Sequence, residues 1–101
     1  MRIGAVEEIY EALMHNGEIA FDYKNNFYAI TTAIWEDNHK YLAIWTDNDD
    51  GNDVCLVKEE SFLKMRNSKE VVDKILNAKC IDGKSFLEIE PDAELTTIFG
   101  L

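Results

Sequence analysis

Ile3, Val6, Ile9, Tyr10, Leu13 and Met14 recur at three- and four-residue intervals. This spacing predicts an amphipathic helix over about residues 3–15. Asn16-Gly17 ends it, the glycine being suited to the left-handed conformation in which helices commonly terminate. The period then changes to two. In EIAFDYK, Ile19, Phe21 and Tyr23 alternate with Glu18, Ala20, Asp22 and Lys24, as in a strand with one buried face. Lys24-Asn25-Asn26 makes a tight hairpin into FYAITTAIW at 27–35. EDNHK at 36–40 is a second turn, and YLAIWT at 41–46 is a third β-rich run.

Beyond the polar segment DNDDGND at 47–53, VCLV at 54–57 reads as a short fourth strand. Phe62, Leu63 and Met65, then Val71, Val72, Ile75 and Leu76, have helical spacing, with Ser68 as N-cap of the second group. One broken helix or two successive helices are therefore expected over 59–79. Asp82-Gly83 is a turn, and Ser85 with Glu88 has the spacing of a capping box that starts another helical turn at 86–90. The closing ELTTIF fits a strand or a helix equally. The expected fold is a single α+β domain over residues 1–101: an N-terminal helix, a three- to four-stranded antiparallel meander, then two or three short helices packed on one sheet face. Helices on one side leave the other side of FYAITTAIW bare. Either Phe27, Ala29, Ala33 and Trp35 or Tyr28, Ile30 and Ile34 must then face outward.

The two ends of the chain resemble a group of small uncharacterised bacterial proteins. The resemblance rests on Gly17, Ile19, Phe21 and Tyr23 after the first helix. It rests also on Ile81, Asp82, Gly83, Lys84, Ser85, Leu87, Glu88 and Ile89 near the end. It implies an α-β-β-β-α order and brings no activity, cofactor or catalytic residue.

Charge narrows the range of partners. Twenty acids against ten bases give a net −10, and residues 36–60 alone hold eight acids and two bases. Such a chain is repelled by nucleic acid phosphates and by anionic membranes, and a basic protein is the complementary partner. No run approaches the roughly 18 apolar residues of a membrane span, and acids interrupt the N-terminal apolar residues, unlike a signal peptide. A soluble, cytosolic protein is expected. Cys55 and Cys80 sit 25 residues apart with no CxxC pairing, which fits reduced thiols rather than a disulfide framework or zinc site.

Chemistry-bearing patterns are sparse. The Asp47–Asp53 loop groups hard oxygen donors at Asp47, Asp49, Asp50 and Asp53. An EF-hand register that places Gly51 sixth puts Thr46 first and Val57 twelfth, where acids are required. The loop is therefore read as a solvated turn and only a weak metal candidate. His15 and His39 neighbour no cysteine in sequence, and the glycines at 4, 17, 51, 83 and 100 match no phosphate-binding loop. No cofactor and no catalytic residue is assigned.

The expectation is a non-enzymatic protein–protein interaction module that binds a basic protein or a second copy as a homodimer, with no direct binding to nucleic acid. Its candidate contact residues are Trp35, Glu36, Asp37, Trp45, Asp47, Asp49, Asp50 and Asp53. Two alternatives stand beside it: an acidic inhibitor or immunity protein acting on a basic nuclease as a partial DNA mimic, and a metal-binding or enzymatic use of the Asp47–Asp53 loop. A DNA duplex about 33 Å long displays about 20 phosphate charges, at one per about 1.7 Å. The net −6 of residues 36–60 therefore excludes an extended mimic.

Overall fold

The computed structural model describes residues 5–47 and 51–98. Helix α1 (Ala5–Met14) leads into strands β1 (Ile19–Tyr23), β2 (Asn26–Ile34), β3 (Lys40–Asp47) and β4 (Asp53–Glu60). Helices α2 (Lys69–Asn77) and α3 (Phe86–Ile89), a 3₁₀ turn at Glu90–Asp92 and strand β5 (Glu94–Ile98) follow. The sheet is antiparallel throughout, in the order β4-β3-β2-β1-β5.

The expected meander is therefore the first four strands, and a fifth is added. ELTTIF resolves as β5 over Glu94–Ile98, which pairs with β1 on the side away from β2. Leu95 and Ile98 pack against the core, while a bulge between Ala20 and Phe21 shifts the register. Two turns with positive φ on neighbouring residues close tight loops. Lys24 (φ 50°) and Asn25 (φ 66°) join β1 to β2, and Asp82 (φ 53°) and Gly83 (φ 75°) bring Ile81 and Lys84 into a reciprocal backbone pair. Gly83-Lys84-Ser85 is thus part of a turn and its helix cap.

One core fills the space between the helices and one face of the sheet. Alternation sends Ile19, Phe21 and Tyr23 of β1, Tyr28 and Ile30 of β2, and Leu42 and Ile44 of β3 to the same side. There they meet Ile9 and Leu13 of α1, Val72, Ile75 and Leu76 of α2, and Phe86 and Ile89 of α3. At the edges, Asp53, Lys58, Glu59 and Glu60 on β4 and Glu94 on β5 put charge where an unpaired strand invites further pairing.

The structure departs from two sequence expectations. Helix α1 ends in a Schellman arrangement, Gly17 N–H donating to the Ala12 carbonyl at 2.7 Å and Asn16 N–H to that of Leu13 at 3.3 Å. The left-handed residue is Asn16 (φ 60°) rather than Gly17. Residues 61–67 form no helix. The chain leaves β4 as an irregular segment, and the helix begins at Lys69, with Ser68 Oγ accepting from Val71 N–H as expected of an N-cap. Helical spacing of Phe62, Leu63 and Met65 is not matched by burial: these side chains are exposed, so no apolar face drives a helix.

Long-range contacts hold that segment instead. Asn67, itself fully buried, donates from Nδ2 to the Leu13 carbonyl at 2.7 Å and to Thr32 Oγ1 at 2.9 Å, and its backbone N–H donates to the Met14 carbonyl at 2.9 Å. It thus donates to the last two carbonyls of α1, that of Leu13 jointly with Asn16 N–H. Lys40 Nζ donates to the Leu63 carbonyl and, at 2.9 Å, to that of Arg66.

The capping box of α3 is complete. Ser85 Oγ accepts from Glu88 N–H at 3.2 Å, and Glu88 Oε1 accepts from Ser85 N–H at 3.1 Å while also pairing with Lys79. Bonded first by the Lys79 ammonium and then by the Ser85 amide, the Glu88 carboxyl is held down at about 2. A carboxylate depressed in the folded state stabilises above its unfolded pKa and loses that contribution as pH falls through the folded one. Wild type should therefore lose stability relative to Glu88→Gln between about pH 4.5 and pH 2. Urea midpoints of the two proteins at steps of pH check this; parallel midpoints across the window would contradict it.

Candidate functional site

The face of the sheet opposite the helices is open. Cross-strand partners Ala20–Ala29, Ala29–Trp45, Thr31–Ala43 and Ala33–Tyr41 place these residues on one side, with Phe27 and Trp35 at the two ends of the β2 row. The alternative left by the sequence is thereby decided. Tyr28 and Ile30 face the core at 7% and 0% exposure, and the Phe27, Ala29, Ala33, Trp35 side is outward. Ile34 is the exception to the buried row, being 72% exposed at the end of β2. Tyr28 stacks on Phe21 inside, whereas Trp35, Tyr41 and Trp45 form a cluster outside.

That cluster is ordered by ring contacts. Trp35 and Trp45 stack with centroids 5.5 Å apart and planes at 24°, and Tyr41 meets Trp35 edge-on at 5.5 Å. Lys58 pairs with Ala43 and so rises on the same face, its Nζ 3.8 Å from the centroid of Trp35 and 4.5 Å from that of Tyr41. The Ala43 side chain beneath is 1% exposed although it points to the open side.

At the β2–β3 turn the polar groups are fixed by hydrogen bonds. Asp37 accepts from His39 N–H at 2.9 Å and from the Tyr41 hydroxyl at 2.8 Å, and His39 Nδ1 lies 2.6 Å from Glu60 Oε2. The His39 amide and then the Tyr41 hydroxyl hold the Asp37 carboxyl below its ordinary value. The Glu60 carboxylate, by hydrogen bond and charge, raises His39.

Two grooves lie on this face, with Trp45 as their common wall. One, of about 550 Å³, is lined by Ala33, Ile34, Trp35, Glu36, Asp37 and Trp45. The other, of about 320 Å³, has Ala20, Ala29 and Thr31 as floor, Phe27 and Trp45 as walls, and Glu18, Asp47 and Asp53 among its lining residues. Each is an apolar depression with carboxylates at its margin.

The structure therefore brings Trp35, Glu36, Asp37, Trp45, Asp47 and Asp53 to one face, while Asp49 and Asp50 lie outside the described residues. Asp47 and Asp53 are direct partners across the β3–β4 hairpin. The hydrogen bond to Asp53, then burial and like charge, push the Asp47 carboxyl up. Among the described residues no three side chains of His, Cys, Asp and Glu group as metal ligands would. Burial raises the Cys55 and Cys80 thiols, which disfavours the nucleophilic thiolate. No described helix is long and apolar enough to cross a membrane.

Phe27 belongs to one of the two rows that the sequence offers as outward, whereas Lys58 joins this surface with no signal in the sequence. The position of Lys58 follows from its register opposite Ala43, which no local pattern encodes. No protein-family model, curated protein or solved structure matches this chain.

Proposed function

We propose that this protein is a non-enzymatic interaction module that binds a basic protein partner on the open face of its sheet. The observation that carries this reading is the half-exposed cluster of Trp35, Tyr41 and Trp45 between two apolar grooves, both edged by carboxylates. Large aromatic side chains at the centre of a polar rim are the groups on which binding energy concentrates. The rim acids and the net −10 favour a partner of opposite charge.

The narrower reading, an inhibitor whose acids imitate DNA phosphates, has less support. The rim carboxylates are separated by the apolar floor of Ala20, Ala29 and Ala33 rather than set in a row. Enzymatic or metal use of Asp47 and Asp53 has less support, because among the described residues no third ligand groups with them.

Affinity capture from cells that make the protein tests the proposal. Immobilised wild type is compared with Trp45→Ser, which keeps every acid and removes the wall shared by both grooves. A basic protein retained by wild type should bind the variant at least about 30-fold more weakly, as expected when a central aromatic worth about 2 kcal/mol is lost. Equal retention by a variant with an unchanged far-UV spectrum would contradict the reading.

A further inference from the structure

We infer that two copies of this chain form a two-fold dimer, in which the segment Ser61–Asn67 of each copy docks on the Trp35–Trp45 groove of the other. The inference rests on the open-face reading and names a partner for that face.

Exposure comes first. Phe62 is 82% exposed and Met65 85%, beside Ile34 at 72%. These are the most exposed of the large apolar side chains among the described residues, and they stand on a pinned backbone. Lys40 holds the carbonyls of Leu63 and Arg66, and Asn67 is tied to α1 and β2. Apolar groups presented on a held segment mark a contact surface.

Charge comes second. Residues 61–69, SFLKMRNSK, carry three bases and no acid in a chain of net charge −10. Lys64, Arg66 and Lys69 join none of the ion pairs among the described residues. The groove offers the complement: the indoles of Trp35 and Trp45 with Ala33 for the apolar side chains, and Glu36 and Asp37 for the cations.

Position suits a two-fold pair. Ser61 N–H donates to the Lys40 carbonyl at 2.8 Å, and Lys40 is the cross-strand partner of Ile34, a lining residue of the groove. Segment and groove thus lie side by side at the β2–β3 end of the molecule. A contact from the first copy to the second is repeated from the second to the first by one two-fold axis, and the pair closes. The like net charges oppose approach, but at 0.15 M salt they are screened beyond about 8 Å, whereas the contact pairs lie within that distance.

Sedimentation analysis at 0.15 M salt, over protein concentrations from about 1 μM to about 1 mM, tests the inference. Wild type should pass from monomer to dimer. The double variant Phe62→Ser/Met65→Ser and the single variant Trp45→Ser should each raise the dissociation constant at least tenfold. An equimolar mixture of the two should dimerise more tightly than either alone, since an intact segment on one copy meets an intact groove on the other. Lys64→Glu/Arg66→Glu repeats the segment test with other side chains, and far-UV spectra verify the fold of each variant. A wild type that stays monomeric, a dimer indifferent to the folded variants, or a mixture no tighter than its components would overturn the inference. The comparison of wild type with Trp45→Ser in affinity capture would still decide whether the face binds a foreign partner.

Discussion

Phe86→Ala should destabilise the protein by about 3–5 kcal/mol, the range found when a large buried aromatic is truncated and its space is not refilled. Phe86 is fully buried and meets Phe21 edge-on at 4.9 Å, while Phe21 stacks on Tyr28 at 5.3 Å. The ring therefore links α3 to the two central residues of the β1–β2 pair. Helix α3 spans four residues, too few to persist on backbone hydrogen bonds alone, so its position depends on this anchor and on the Ser85 cap. Domains of this size are stable by about 5–15 kcal/mol in total, so the loss should be visible as a large fall in the urea midpoint with little change in slope. Leu87→Ala, at the half-buried neighbouring position, should shift the midpoint much less. Equal shifts for the two variants would show that α3 is not held through Phe86.

Asn67→Leu comes next in size, at about 1–3 kcal/mol, although it keeps the volume and adds apolar surface. The leucine removes the donors that the Leu13 carbonyl has at 2.7 Å and the half-buried Thr32 hydroxyl at 2.9 Å, and each lost hydrogen bond costs about 0.5–1.5 kcal/mol while Leu13 keeps the Asn16 N–H. The substitution also frees the segment that runs from β4 to α2. Urea unfolding measures the global loss, and amide exchange should show faster opening at the end of α1 before the sheet is affected. A change within about 0.5 kcal/mol, the size typical of surface substitutions, would contradict the role given to Asn67.

These two residues show where sequence reading succeeds and where it stops. The strand at Ile19–Tyr23, the hairpin at Lys24-Asn25, the Ser68 N-cap and the Ser85–Glu88 box are legible because each is encoded by residues within a few positions of one another. Strand β5 is not, because ELTTIF suits either state and its partner β1 lies more than 70 residues earlier. The helix expected at Phe62–Met65 fails for a related reason. Periodicity implies structure only where the apolar residues are buried, and here Lys40 and Asn67 fix the backbone while the side chains remain in solvent. At the end of α1 the pair Asn16-Gly17 is legible but the choice within it is not, since the short polar side chain of asparagine lets it enter the left-handed region more easily than most residues with a Cβ.

The same division holds for the candidate surface. Trp35, Trp45 and the acids around them are visible in the sequence as aromatic and charged positions of predicted strands and turns. Which face of FYAITTAIW is open follows only once the packing of the helices is known. The outcome for Tyr28 and Tyr41, one inside and one outside, depends on parity within each strand and on the β2–β3 register.

The central claim, that the open face is the binding surface, is tested most directly by placing a photo-crosslinking amino acid at Ala33, which lines the groove beside Trp45, and, in a separate protein, at Lys74 on the exposed side of α2. After illumination in cells that make the protein, position 33 should join it to a partner or to a second copy, and position 74 should not. Crosslinks formed from position 74 and absent from position 33 would contradict the account.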